Sequence, residues 1–291
     1  MKIMKKSRSK FIHIRGLEYH IREWGDPKSP SIIFLHGWMD VSASFQFTVD
    51  CLARDWHVFS PDWRGFGLSE WAKTDYLFQD YIGDLSVIID ILSPKEPVIV
   101  IGHSMGGNVA SILAGVRPDR FRKLILAEGF GLRPTVPQQA PGRYKKWIRC
   151  ISAPKKLKPY NTLDEVASRI MDNTPNMKLA NSKFLASHWA KEGKNGRIEL
   201  RADPKHKHPN PYLYQPEEAM ACWKEITAPV LWIHSDSNWL KNFMSDQYEK
   251  IESYRKAFKL LSEVTINKSS HMMHLDQPLL FATALEEFII K

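Results

Sequence analysis

VIVIGHSMGG (Val98–Gly107) is the most informative stretch of the sequence, because its pattern predicts an apolar strand, a tight turn and the start of a helix. Val98–Ile101 is typical of a strand buried on both faces, and Met105–Val116 has the pattern of a helix. Ser104 lies between them in a G-x-S-x-G pattern, whose glycines are needed because a Cβ there would collide with neighbouring backbone. The pattern predicts a strained turn that exposes the Ser104 hydroxyl above the sheet.

Similar apolar runs recur along the chain and alternate with helical patterns such as Tyr81–Leu92. Two short runs around Gly16, Phe11–Arg15 and Leu17–Glu23, predict an antiparallel hairpin at the start. The alternation of strand and helix predicts an α/β fold with a doubly wound, mostly parallel sheet. Its remaining central strands are expected at Ser31–Leu35, His57–Ser60, Lys123–Ala127 and Val230–His234.

The alternation stops after Lys123–Ala127 and resumes only near Val230, which predicts an insertion. We expect a core domain formed by residues 1–130 and 216–291, and a mainly helical cap formed by residues 131–215. Two cap helices are expected at Leu163–Met171 and Ser182–Lys191, and a loop at Asp203–Pro211. Aromatic cap residues are expected to line an acyl pocket, drawn from Tyr144, Trp147, Tyr160, Phe184, Trp189, Tyr212 and Tyr214.

Outside the cap, the chain resembles the α/β-hydrolase superfamily of serine hydrolases over nearly its whole length. LHGW (Leu35–Trp38) resembles the family's loop after the third strand, and DWRGFGLS (Asp62–Ser69) resembles the loop after the fourth. The resemblance implies that Ser104 is the nucleophile and that the backbone N–H groups of Trp38 and Met105 form the oxyanion hole. Such donors stabilise the negative charge of a tetrahedral intermediate.

SSHMMHLDQP (Ser269–Pro278) resembles the family's G-H-x-x-x-x-E-x-P segment after the last strand, which implies that His271 is the general base. Ser270 replaces the family's Gly and Asp276 its Glu, and neither change alters the chemistry. An imidazole suits this role because it can take up and return a proton near neutral pH. His274 is the competing candidate, but it lies one turn into the next helix, where we expect it to pack or line the site.

The acid of the triad departs from the family pattern. PVLWIHSDSN (Pro229–Asn238) aligns with the family's P-x-L-x-I-x-G-x-x-D, but Ser235 occupies the Gly position and Asn238 the acid position. Asn is a poor substitute for the carboxylate that holds the imidazole tautomer. We therefore expect Glu128, at the end of the preceding strand where one branch of the superfamily keeps its acid. Asp236 stays open as the alternative.

These residues predict an esterase-like hydrolase that cleaves a carboxylic ester through an acyl-serine intermediate, with no metal or organic cofactor. Haloalkane dehalogenases and epoxide hydrolases of the superfamily use a carboxylate nucleophile, which Ser104 disfavours. Carbon–carbon bond hydrolases retain a serine and stay open. A non-hydrolytic ligand receptor on the same scaffold also stays open, since fold alone does not fix function.

The formal net charge of +9 is concentrated in one region, since residues 131–224 hold 18 Lys and Arg against 8 Asp and Glu. This region has neither a zinc-finger spacing nor an RNA-binding aromatic motif, so we expect a small-molecule ester or acyl substrate rather than nucleic acid. The basic residues are expected to be either solvated surface or an attraction for anionic substrates. The oligomeric state and the natural substrate stay open.

We expect neither a secretory signal nor a membrane-spanning segment in this sequence. Its basic start, Met1–Arg8, is followed only by the short apolar Phe11–Ile14, so we expect a solvated tail. No run of about 18 apolar residues occurs, and no membrane span is expected. The odd number of cysteines, Cys51, Cys150 and Cys222, favours thiols in a reducing compartment, and the cytoplasm is the expected location.

Overall fold

The computed structural model describes residues 4–129 and 131–291. Eight strands form one sheet in the order β1-β2-β4-β3-β5-β6-β9-β10, and β7 and β8 form a separate hairpin. Strands from β4 onward along this order are parallel, whereas β1–β2 and β2–β4 are antiparallel. The strands are β1 (Ser7–Ile14), β2 (Leu17–Trp24), β3 (Ser31–Leu35), β4 (His57–Pro61), β5 (Val98–His103), β6 (Phe121–Ala127), β7 (Ala190–Glu192), β8 (Ile198–Leu200), β9 (Val230–Ser235) and β10 (Leu261–Ile266). The predicted mostly parallel α/β fold is confirmed.

Helices cover both faces of the sheet, because alternate residues of each central strand point to opposite sides. In β5, Val98 and Val100 join one buried cluster with helices α2, α3 and α7, while Ile99 and Ile101 join a second cluster with α1 and α11. The helices are α1 (Gln46–Cys51), α2 (Phe78–Leu92), α3 (Met105–Val116), α4 (Ala140–Ser152), α5 (Leu163–Asn173), α6 (Leu179–Trp189), α7 (Pro216–Glu225), α8 (Trp239–Met244), α9 (Ile251–Arg255), α10 (Met273–Asp276) and α11 (Pro278–Ile290).

Four parallel strands, β3, β5, β6 and β9, end at the same edge of the sheet. Their last residues are Leu35, His103, Ala127 and Ser235. The loops that follow these strands therefore meet at the carboxyl edge, which is where α/β sheets assemble their sites. This edge carries Ser104, Glu128 and Asp236, and His271 follows β10, which runs parallel to β9 and ends at the same edge.

The segment 131–215, called the cap below, contributes no strand to the large sheet among the residues that the structure describes. Its helices α5 and α6 bury Val166, Ile170 and Leu185 against Phe47 and Leu275 of the core. The predicted boundary at residue 130 lies outside the described residues.

Details inside the cap differ from expectation. The helix expected at Ser182–Lys191 begins three residues earlier and ends at Trp189, and Lys191 belongs to β7. The expected loop Asp203–Pro211 contains a 3₁₀ turn at Pro204–Lys207.

The prediction that Met1–Arg8 forms a solvated tail is wrong in part, because β1 begins at Ser7 and pairs with β2. Ser7 lies opposite Trp24, and Arg8 lies opposite Glu23, whose carboxylate accepts a hydrogen bond from its guanidinium at 2.8 Å. Residues 1–3 lie outside the described part of the chain. Within the described residues, no helix has the length and apolar character needed to cross a membrane.

Candidate active site

Ser104 lies at the sharp turn between β5 and α3, with a φ of 50° that side-chain-bearing residues rarely adopt. Its backbone N–H donates to the Ala127 carbonyl at 2.9 Å, which ties the turn to the adjacent strand. A Cβ at Gly102 would lie 2.5 Å from the Gly107 backbone, and one at Gly106 would lie 2.4 Å from the Leu35 carbonyl oxygen. The two glycines therefore allow the close approach that holds this strained turn.

The loop after β3 passes directly over this turn. A Cβ added to Gly37 would lie 3.2 Å from the Ser104 Cβ, so only glycine fits without displacing a neighbour. Trp38 follows and is 53% exposed. Met105 is the first residue of α3, and the first N–H groups of a helix have no partner within it. The two expected oxyanion donors thus belong to segments on either side of Ser104.

His271 and Glu128 face each other, with 3.9 Å between His271 Nδ1 and Glu128 Oε2. Both atoms are buried and have no hydrogen-bond partner within the described chain. The other carboxylate oxygen, Glu128 Oε1, accepts hydrogen bonds from the backbone N–H and the hydroxyl of Ser235, both at 2.7 Å. Ser235 thus orients the carboxylate, and the second oxygen is left for the imidazole.

Asp236, the alternative acid, has different partners. Its oxygens accept the backbone N–H groups of Lys268 at 2.8 Å and Ser269 at 3.2 Å. These two hydrogen bonds lower the pKa of this exposed carboxyl. Asp236 therefore holds the loop that leads to His271, rather than the imidazole itself. Asn238, in the family's acid position, is exposed on the wall of the cavity described below.

Three residues that the sequence did not single out as site residues surround the His271–Glu128 pair. Trp239 stacks on the His271 ring with 3.6 Å between centroids and an angle of 17°. His103 donates its Nε2–H to the His271 carbonyl at 2.8 Å, and burial holds the pKa of His103 well below its usual value. The third is Ser235, whose only signal was that it stands where the family has glycine.

Other residues of the resembling motifs have structural partners. His36 bonds the Gly37 carbonyl through Nδ1, and its Nε2 accepts the Trp63 backbone N–H. Arg64 pairs with the buried Asp84. These contacts fix the loops that surround the site. His274 is fully buried and does not line the cavity.

A cavity of about 750 Å³ lies between these core loops and the cap. Trp38, His271 and Trp239 line its core side. Of the seven aromatic cap residues expected to line it, Tyr160 and Trp189 do so. Three exposed cationic residues of the cap also line it, namely Lys158, Arg169 and Lys207.

Comparison with known proteins agrees with this architecture. A serine hydrolase-like protein of Danio rerio is 24% identical over 277 residues, which cover 91% of this chain and 83% of that protein. An sn-1-specific diacylglycerol lipase of Mus musculus is 23% identical over 278 residues, covering 94% and 85%. A thioesterase domain from the curacin biosynthetic pathway superposes with a TM-score of 0.85 at 20% identity, covering 97% of this chain and 99% of that one, which is a likeness of fold. Since the family model for the alpha/beta hydrolase fold also matches residues 30–278, the chain belongs to the α/β hydrolase fold family.

Proposed function

We propose that the protein is a serine hydrolase that cleaves carboxylic esters through an acyl-serine intermediate. Ser104 is the nucleophile, His271 the general base and Glu128 the acid, and the backbone N–H groups of Trp38 and Met105 stabilise the oxyanion. The observation that carries the proposal is the His271–Glu128 pair, whose facing atoms are buried, at the sheet edge that holds the strained Ser104 turn.

The chemistry follows from these positions. His271 removes the hydroxyl proton as the Ser104 oxygen attacks the ester carbonyl, and the negative charge collects on the carbonyl oxygen. Collapse of this intermediate breaks the bond to the leaving oxygen, which takes the proton from His271. Water, deprotonated by His271, then attacks the acyl-serine and releases the carboxylic acid and the free serine.

Glu128 serves as the acid because its Oε2 faces the His271 imidazole while Ser235 holds its Oε1 in place. A buried carboxylate fixes the His tautomer and stabilises the imidazolium that forms during attack. Asp236 is already occupied by two backbone N–H groups, and its carboxyl is exposed. Its contribution is to position the loop that carries His271.

An acyl group fits the cavity between the core and the cap. Apolar residues from both sides, among them Trp38, Ile170 and Trp189, line the space next to His271. The similar proteins named above as a lipase and a thioesterase transfer acyl groups to water, which is the reaction class proposed for this chain. We propose an ester of a small organic acid as the substrate class.

The test combines covalent labelling with turnover. A fluorophosphonate should label the wild-type chain once, and the protein should hydrolyse p-nitrophenyl butyrate. Ser104→Ala should lose both activities, whereas Ser187→Ala, a change at an exposed serine of α6, should keep both.

Two results would contradict the proposal. Absence of both labelling and turnover in folded wild-type protein would favour a non-hydrolytic receptor. Labelling without turnover across a series of esters would favour a carbon–carbon bond hydrolase.

A further inference from the structure

A cluster of three buried polar side chains lies behind the candidate triad. Asp40 follows β3, His103 ends β5 and His274 belongs to α10, and their exposed fractions are 2%, 1% and 0%. One oxygen or ring nitrogen from each residue lies within 4.8 Å of the corresponding atoms of the other two. Three segments far apart in sequence therefore bring a carboxylate and two imidazoles together.

Four atoms of this cluster have no hydrogen-bond partner within the described chain: Asp40 Oδ2, His103 Nδ1 and both ring nitrogens of His274. Asp40 Oδ2 lies 3.7 Å from His274 Nε2. Buried polar atoms in folded proteins nearly always have a partner, so a group of four requires an explanation. Three atoms, one from each residue, lie within 4.8 Å of one another, so one shared partner at their centre accounts for three of the four.

The remaining atoms of the cluster are already held in the form that a metal ligand needs. His103 donates its Nε2–H to the His271 carbonyl at 2.8 Å, so its Nδ1 presents a lone pair. Asp40 Oδ1 accepts hydrogen bonds from the Val41 N–H, the Ser44 hydroxyl and the Trp189 indole N–H. Metal-binding imidazoles and carboxylates are typically oriented in this way by a second partner.

We propose that Asp40, His103 and His274 bind one divalent transition-metal ion of the zinc type. Asp40 Oδ2, His103 Nδ1 and one ring nitrogen of His274 are the protein ligands. Two imidazoles and one carboxylate suit zinc and its neighbours, whereas calcium and magnesium prefer sites made of oxygen alone. Asp40 also forms part of the cavity wall, so the proposed site lies next to the cavity.

The position of the site gives it a structural consequence. The three ligands lie in the loop that contains Trp38, next to Ser104, and one turn beyond His271. Asp40 also holds Trp189 of the cap at 3.0 Å. A bound ion therefore cross-links the segments that must keep their relative positions for catalysis, and it should raise the thermal unfolding midpoint.

The experiment titrates the full chain, freed of metal with a chelator, with Co²⁺ and follows visible absorption and the unfolding midpoint. We expect one equivalent to bind, with stronger absorption than the hydrated ion and a higher midpoint. His274→Gln and Asp40→Asn should each weaken binding at least about 100-fold, because each removes a ligand.

His271→Gln is the matched control, because its imidazole faces Glu128 at 3.9 Å much as His274 faces Asp40 at 3.7 Å. This variant should bind Co²⁺ as the wild type does. Loss of binding in His271→Gln, or unchanged binding in both His274→Gln and Asp40→Asn, would overturn the proposal. So would the absence of stoichiometric binding to the wild type.

A second measurement needs no variant, in case the buried substitutions prevent folding. X-ray absorption of the zinc-loaded wild type should report only nitrogen and oxygen ligands, including two imidazoles. A sulfur ligand, or a number of imidazoles other than two, would overturn the assignment.

Discussion

The two oxygens of Glu128 have separate roles at the scale of single residues. Oε1 is fixed by two hydrogen bonds from Ser235, and Oε2 faces the imidazole of His271. The backbone of Glu128 has a φ of 50°, and its N–H donates to the Ile233 carbonyl at 2.9 Å. The carboxylate is therefore oriented by its own strand neighbour and does not depend on the imidazole for its position.

This arrangement predicts different effects for the two candidate acids. Glu128→Gln should lower kcat by about 10⁴-fold, because an amide favours the wrong imidazole tautomer. Asp236→Asn should lower kcat less than about 10-fold, since its carboxylate binds only backbone N–H groups of a loop. Steady-state kinetics on a p-nitrophenyl ester measures both. The reverse order of effects would place the acid after β9.

The sequence could narrow the candidate acid to two residues, but it could not show that Ser235 orients the Glu128 carboxylate. Glu128 was expected because this chain has Asn238 at the position where the family pattern has its acid. The contact with Ser235 depends on β6 lying beside β9 in a register that pairs Ala127 with Ile233. Local sequence patterns do not contain such a long-range register. The role of Ser235, which stands where the family has glycine, could therefore not be predicted.

At the scale of elements, the 3₁₀ turn Pro204–Lys207 joins the cap to the core. The His206 ring is stacked between Phe66 at 3.7 Å and Tyr76 at 3.8 Å. The backbone of Asp203 donates to the Gly65 carbonyl at 2.8 Å, which fixes the same joint. Burial lowers the pKa of His206 to about 3, so the ring is neutral in the folded protein at neutral pH.

This joint makes the stability of the fold depend on pH. An unfolded chain binds a proton at His206 below about pH 6.5, while the folded chain does not until about pH 3. The contribution of neutral His206 to the free energy of unfolding is therefore fully present above pH 6.5. It falls toward pH 3 by up to about 1.4 kcal/mol per pH unit. His206→Phe keeps an aromatic ring but removes this titration, so its unfolding midpoint should fall less between pH 7 and pH 4.5.

The measurement is thermal unfolding of both proteins at the two pH values. His13→Phe, a change at an exposed residue of β1, is the control and should keep the wild-type pH dependence. An equal loss of midpoint in wild type and His206→Phe would contradict this account of the joint.

Elements with a strong apolar pattern were predicted within a few residues, and weakly patterned ones were not. Buried central strands such as Ser31–Leu35, and helix Met105–Val116, have the bounds expected from sequence. Helix α4 was missed because Pro141 and Gly142 lie near its start and Cys150 is its only buried residue. The hairpin of β7 and β8 has strands of three residues, which are too short for a visible alternation.

At the scale of the whole molecule, the positive charge and the cavity coincide. The cap carries the basic excess of the chain, and three of its cationic residues line the cavity that contains His271. Among the described residues that line the cavity, Asp40, which is buried, is the one acidic residue. The field at the mouth should therefore favour substrates with a negative group distant from the scissile ester.

A comparison of two esters of equal length tests this effect. Mono-p-nitrophenyl glutarate should have a higher kcat/KM than p-nitrophenyl valerate at low salt, and added salt should reduce the difference by screening. Changing Lys158, Arg169 and Lys207 together to Gln should lower kcat/KM for the anionic ester about 10-fold and leave the neutral ester unchanged.

The matched control changes three cap lysines that do not line the cavity, Lys145, Lys191 and Lys194, to Gln. This variant carries the same loss of net charge, and it should retain most of the preference for the anionic ester. Equal effects of the two triple variants would show that the preference arises from overall charge. If the wild type has no preference for the anionic ester, Lys158, Arg169 and Lys207 are simply solvated surface residues.

The proposed mechanism requires an acyl-serine intermediate, which rapid acid quench of the wild type with p-nitrophenyl butyrate should trap. Mass spectrometry of the digested protein should find a butyryl group on the peptide that contains Ser104, in proportion to the initial burst of p-nitrophenol and up to one per chain. Turnover with the acyl group on another residue, or with no acyl-enzyme even when a deacylation-impaired ester is used, would contradict the account.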